Sequence, residues 1–237
     1  MPSESGGDSA SRRRRSRVNQ LESLTWRRIR VRGADRLSYL QGQLTQDISE
    51  GQRRSLLLQP SGEVLSDLAI SVQDDYIDLV VPDSLADDVL VRIRRFVLRV
   101  DVSFEDLGVA EAPLALLSLV ENSWPSAFEW AFGLPPHSYG QQVVDETVSF
   151  TKGCFTGQEL VGRADARGAT MPWRFISGFG GDAESVSTLL KSVGPEGPQG
   201  ISSLFSYDGT THWRGVTHRS FDSSTLSALG AELTYFA

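Results

Sequence analysis

The alternation of apolar and polar positions is most regular between Thr25 and Leu107. Ile29 and Val31 alternate with Arg28 and Arg30, the period of a half-buried strand. Leu37, Leu40, Leu44 and Ile48 recur at helical spacing, and Gly51 follows as a stop. Leu56 to Leu58 form an apolar run, Pro60-Ser61-Gly62 reads as a turn, and Val64, Leu68, Ile70 and Val72 share one strand face, which puts Asp67 on the other. After a turn at Gln73 to Asp75, Ile77, Leu79 and Val81 alternate again. Pro82-Asp83-Ser84 opens a helix with Leu85, Val89, Ile93 and Phe96 along its apolar side, and Val100, Val102 and Phe104 read as a closing strand. The order strand, helix, strand, strand, strand, helix, strand predicts an α+β layer, with antiparallel hairpins covered by two helices on one face.

Further along, the pattern thins. Leu114 to Val120 reads as a strand, Ser126 to Phe132 as a short helix ended by Gly133 and the Pro135-Pro136 pair, and residues 135 to 147 as loop. A helix is predicted from the end of the Val148 to Glu159 segment to about Ala166. Alternating segments at Phe175 to Phe179, Trp213 to Thr217 and Glu232 to Phe236, with a Gly/Pro-rich stretch at 194 to 200, predict a small terminal β unit. No internal repeat is visible.

Composition narrows this picture. A chain of 237 residues, 40% of them hydrophobic, has room for one large domain or two small ones with real cores. Apolar runs such as Leu56 to Leu58 and Leu114 to Leu117 fall far below the roughly 18 residues of a membrane span, so a soluble protein is expected. The N-terminus has no apolar h-region, and a single cysteine suits a reducing cytoplasm. Residues 1–20 hold five arginines against Glu4 and Asp8, a balance of +3 that leaves -10 for the rest of a chain whose formal charge is -7. The tail reads as disordered, and its two acids argue against an organelle transit peptide. The acidic body is poorly suited to a broad phosphate-binding face, so direct nucleic-acid binding is not expected.

A lone Cys154 excludes an internal disulfide and an all-thiolate metal site. Thr156 and Glu159 have capping-box spacing; with Thr156 as N-cap, Cys154 sits just before a helix, where the helix dipole and Lys152 favour a thiolate. On residue types alone the plainer reading, a small buried Cys in a Gly-punctuated turn, is favoured, because no His lies nearby as its base. His137, His212 and His218 lack metal-ligand spacing, and no metal site is expected. No P-loop, Rossmann fingerprint or nucleophile elbow occurs. Asp67, in an otherwise apolar strand, either accepts paired N–H donors from a heterocycle such as a pterin ring or stands as a solvent-facing acid on an open sheet face. In Leu40-Gln41-Gly42-Gln43-Leu44, a glycine inside a predicted helix costs about 1 kcal/mol against Ala and hints at close packing.

Lys152-Gly153-Cys154-Phe155-Thr156-Gly157-Gln158-Glu159 resembles the K-G-C-[YF]-T-G-Q-E signature of the folate-binding YgfZ family, relatives of the glycine-cleavage T-protein, an aminomethyltransferase. Tyr39 to Ile48, Pro60 to Asp67, Phe96 to Val100, Phe150, Val161-Gly162-Arg163 and Arg167-Gly168 are similar to companion blocks of that family, over roughly residues 24 to 175. The resemblance implies interlocking, ferredoxin-like α+β domains around a central folate pocket over 24–170, followed by a small C-terminal β-barrel over 171–237. It also implies tetrahydrofolate as ligand, with Asp67, Gln43 and Arg163 in binding and Cys154 and Lys152 as the candidate reactive pair. The implied role is support of iron–sulfur cluster assembly or repair, and through it of tRNA-modifying cluster enzymes, with iron–sulfur proteins or the assembly machinery as partners. The alternative is tetrahydrofolate-dependent aminomethyl transfer. The chain departs from the T-protein in carrying Ala131 where that relative has a folate-gripping Glu.

Overall fold

The computed structural model describes residues 24–49, 51, 54–113, 123–166, 168, 170–207 and 209–237. The Arg-rich tail and the strand expected at Leu114 to Val120 lie outside these residues. The remainder forms two compact units, Thr25–Pro172 and Trp173–Phe236, each with its own sheet.

In the first unit, β1 (Trp26–Arg32), α1 (Arg36–Gln41), β2 (Arg54–Leu58), β3 (Val64–Val72), β4 (Ile77–Pro82), α2 (Asp83–Arg94) and β5 (Ser103–Ala110) follow in the order that the apolar pattern predicts. The sheet order is β2-β3-β4-β1-β5, with every pair antiparallel. Ile29, Val31, Leu57, Leu68, Ile70, Leu79 and Val81 meet Tyr39 and Leu40 of α1 and Ala86, Val89 and Ile93 of α2 in one core. Leu44 and Ile48 join that burial without being helical. The helix expected to reach Ile48 ends at Gln41, where Gly42 takes the C-cap and the amides of Gln43 and Leu44 turn back onto Leu40 O at 3.0 and 2.9 Å. Both leucine-type spacings are therefore real, but the second half is a loop held down by its apolar side chains.

A further group of short helices comprises α3 (Ala127–Trp130), a 3-10 turn (Pro136–Tyr139), α4 (Gln141–Thr147) and α5 (Gln158–Ala166). Helix α3 packs against β3 and α4 against β2, burying Trp124, Trp130, Tyr139, Val143, Val144 and Val161. Residues 135–147, expected as loop, are thus largely helical. The two pieces there, four and seven residues long, are too short to show a full helical period, and Gly140 at φ +106° redirects the chain between them.

The second unit holds β6 (Trp173–Gly180), α6 (Ala183–Lys191), β7 (Gly200–Tyr207), β8 (Thr210–His218), a 3-10 segment (Ser223–Leu229) and β9 (Ala231–Phe236). Its sheet order is β7-β8-β6-β9, again antiparallel. Ile176, Val186, Leu190, Trp213, Phe221 and Leu226 form its core. The expected β-barrel is not formed among the described residues: β7 and β9 are edges, and no ladder joins them. Four strands are too few to close around a filled interior, and α6 covers one sheet face instead. Among the described residues, no helix is long and apolar enough to cross a membrane.

Candidate functional site

Three segments distant in sequence converge at the β2–β3 end of the first sheet. Where α1 stops at Gly42, the freed carbonyls of the following turn are taken up by residues 149–156. Thr156 N donates to Gly42 O at 3.1 Å, Ser149 N to Thr45 O at 3.0 Å, and Lys152 Nζ to Leu44 O and Gln46 O at 2.7 and 3.0 Å. Thr45 Oγ1 in turn donates to Thr147 O at 2.6 Å. The third segment is the Pro60-Ser61-Gly62 turn. A Cβ on Gly157, which sits at φ +85°, would lie 2.8 Å from Gln59 O and 3.2 Å from Gly62 Cα. A Cβ on Gly62, at φ +91°, would lie 2.7 Å from Leu160 Cβ. Two glycines are needed because two backbones touch.

This convergence reassigns the residues of the 152–159 segment. The Lys152 ammonium is spent on two carbonyls, and burial lowers its pKa to about 8, against the attraction of Asp47. Cys154 is exposed, not buried. The capping box expected from Thr156 and Glu159 does not form. Thr156 Oγ1 turns to Gly42 O at 3.5 Å, Gln158 Oε1 accepts from Phe155 N at 3.3 Å, and Glu159 pairs with Arg163 at 3.0 Å on the surface of α5. The Thr156 hydroxyl thus serves as a donor to the carbonyl at the end of α1 and not as an acceptor for a helix amide. Arg163 therefore faces solvent, beside a shallow depression of about 470 Å³ lined by Gln158, Glu159, Gly162 and Ala166. Gln43 is buried; its Oε1 accepts from Arg92 Nη1 at 3.1 Å, while Arg92 Nε donates to Leu58 O at 2.9 Å.

Asp67 lies on the face of β3 opposite the core, paired across the ladder with Leu56. Its Oδ2 accepts a long hydrogen bond, 3.4 Å, from Trp124 Nε1. Part of the residue reaches the surface, yet the carboxyl lies between indoles. Burial raises its pKa, outweighing the opposing pull of Arg54 and of the Trp124 and Trp130 N–H groups. Trp130 Nε1 is near enough to act on the carboxylate but makes no hydrogen bond of proper geometry, and it is fully buried. Arg54 stacks over the Trp124 ring at 4.1 Å and lies 3.7 Å from Glu146. Behind the indoles, Tyr139 packs edge-on to Trp130 at 4.5 Å and donates to Glu129 O at 2.9 Å.

Sequence reasoning singles out Asp67 but not Arg54, Trp124 and Trp130, which give it its environment. The signal for the two indoles is a capping box elsewhere: Ser126-x-x-Glu129, bracketed by Trp124 and Trp130. There, Glu129 Oε2 accepts from Ser126 N and Oγ at 2.7 and 2.6 Å and is fully buried. Ala131 is the exposed C-cap residue of the same helix. Among the described residues, no three His, Cys, Asp or Glu side chains gather as a metal-binding group.

In fold, the chain is similar to a solved T-protein. It superposes on the glycine cleavage system aminomethyltransferase T from Bartonella henselae with a TM-score of 0.51, at 12% identity, over 81% of this chain and 76% of that one. An uncharacterized protein of Haemophilus influenzae is 28% identical to it, with 67% of this chain and 73% of that protein covered. No protein-family model matches the sequence.

Proposed function

We propose that this protein binds tetrahydrofolate at Asp67 and acts in the cytoplasm as an accessory factor for iron–sulfur cluster assembly or repair, supporting cluster enzymes that include tRNA-modifying ones. One observation carries the ligand assignment. Among the described residues the Asp67 carboxylate accepts a single long hydrogen bond, while the buried Trp130 N–H beside it has no acceptor. An unspent acceptor next to an unspent donor, both shielded from water, complements a heterocycle edge that carries donors and acceptors together. A pterin ring has such an edge. When bound, the folate supplies a carrier for one-carbon units; the chain's own part is to orient it. The T-protein fold and the resemblance of the 152–159 segment support the reading.

The other residues divide by what they already hold. Gln43 is committed to Arg92 and Arg163 to Glu159, so binding falls chiefly to Asp67. Lys152 fixes the turn that carries Cys154, and the exposed thiol is the group a client cluster protein or the assembly machinery can reach. Aminomethyl transfer, the activity in the name of the structural neighbour, is the second reading. Against it, Ala131 offers no carboxylate and that of Glu129 is consumed in its capping box.

Melting of the wild type and Asp67→Asn with and without tetrahydrofolate tests the assignment. At about 100 times Kd, a ligand adds about 2.7 kcal/mol, or roughly 5–10 °C for a chain of this size. The wild type should show this shift and the variant none; equal shifts would remove Asp67 from the site. Because the folded pKa of Asp67 is raised, its ionised form costs stability above that pKa, and the cost fades as pH falls toward the unfolded value. Without ligand at neutral pH, Asp67→Asn should therefore melt no lower than wild type, so a lost shift is not a lost fold.

A further inference from the structure

The sheet register carries the Asp67 face across to a row of arginines. Ala69 lies opposite Val80, and Val80 opposite Arg28, so Arg28 shares the face of Asp67 two strands away. Two strand spacings and one two-residue step put the two backbones about 12 Å apart. Arg30 and Arg32 continue the row at alternate positions of β1, each step about 6.8 Å. The middle arginine is spent. Arg30 forks both oxygens of Asp78 at 2.8 and 2.9 Å, lies over the Tyr76 ring at 3.7 Å, and has Glu105 opposite it on β5. The outer two are held less tightly. Among the described residues, Arg28, 41% exposed, makes a loose ion pair with Asp78 at 3.8 Å, and exposed Arg32 lies 5.3 Å from the Tyr76 ring with no carboxylate partner. In a chain that carries -10 beyond its first 20 residues, two loosely held guanidiniums on the ligand face suit an anion of matching pitch.

We propose that Arg28 and Arg32 bind the poly-γ-glutamyl tail of a folate whose pterin is held at Asp67; this rests on the folate assignment above. The carboxylate-bearing carbons of a γ-linked chain are five bonds apart, about 6 Å when extended. That is close to the pitch of alternate strand positions, so Arg28 and Arg32 match carboxylates two units apart. A triglutamate spans both, whereas a monoglutamate reaches the first arginine at most. Tyr76 and the Arg30–Asp78 pair form the floor between them.

Calorimetric titration with 5-formyl-tetrahydrofolate as its mono- and triglutamate tests this, on the full-length wild type and an Arg28→Ala/Arg32→Ala variant. The exposed pair at Arg32, which only the longer tail makes, should leave the triglutamate about two- to fivefold tighter in the wild type. The double variant should lose that advantage and weaken the monoglutamate, which still reaches Arg28, by no more than about fivefold, and 0.5 M salt should shrink the advantage in the wild type. Equal affinity of the two forms for wild type would overturn the tail site and leave the Asp67 site standing. Absence of binding by either form would overturn both. Displacement of the triglutamate by a uridine hexanucleotide as readily as by free tri-γ-glutamate would mark the row as a general polyanion surface and also overturn the assignment.

Discussion

Lys152 carries its charge into a partly buried place, where Nζ donates to the carbonyls of Leu44 and Gln46. Desolvation there holds its pKa at about 8, below the ordinary 10.5. The sign of the consequence follows from proton counting. Between pH 8 and 10.5 the native state binds fewer protons than the unfolded chain, so stability contributed at this site rises with pH across that window. Below pH 8 the penalty of the buried charge is fully present. Urea unfolding of wild type and Lys152→Gln from pH 7 to 10.5 isolates the effect, since other groups cancel in the difference. The wild type should gain on the variant as pH rises; a difference flat in pH would mean the ammonium is not desolvated. From the residue types Lys152 was readable as a positive neighbour of Cys154, and from the resemblance as its partner in a reactive pair, but not as a donor to carbonyls. The carbonyls it serves exist because α1 ends at Gly42, an event decided by packing of Leu44 and Ile48 rather than by any residue near Lys152.

At the scale of elements, the strands were legible and the helix ends were not. Ile29 and Val31, or Leu68 and Ile70, alternate with their neighbours because one sheet face meets the core and the other does not, and that rule is local. Helix limits depend on which partner a polar group finds. Thr156 and Ser126 both head a Thr/Ser-x-x-Glu signature, yet only Ser126 caps; the Thr156 side chain is directed at the Gly42 carbonyl. The junction of α5 with the 60–62 turn rests on Gly157 instead. Gly157→Ala adds left-handed strain to a contact 2.8 Å from Gln59 O and should cost at least about 2 kcal/mol, roughly 4–8 °C in Tm. Gly133→Ala is the control: its φ is +60° but nothing lies within 4 Å of a Cβ, so only the strain, about 1 kcal/mol, should be lost. Equal melting of the two variants would mean that the 157–62 contact is not tight.

For the molecule as a whole, resemblance and physics contributed different things. The antiparallel α+β layer of the first unit follows from the apolar pattern, whereas the barrel of the second was expected from resemblance alone and proves to be an open sheet. The groups around Asp67 come from four segments, β2 with Arg54, β3, Trp124 and α3, whose meeting no local pattern announces. That distribution sets how a bound ligand should be felt. If tetrahydrofolate sits on the Asp67 face, hydrogen exchange should slow where backbone amides are fastened to it. Those are Leu56 to Leu58, Ser66 to Leu68 and residues 124–134, with a smaller effect in 42–46 and 149–156, coupled through Thr45 N to Leu56 O and through Lys152. Amides of β6, β7, β8 and β9 form a separate ladder with its own core and should exchange at unchanged rates. Protection of those strands as strong as that of β2 and β3 would show the ligand engaging the second unit directly, and the Asp67-centred site would then be too small a description of where the folate binds.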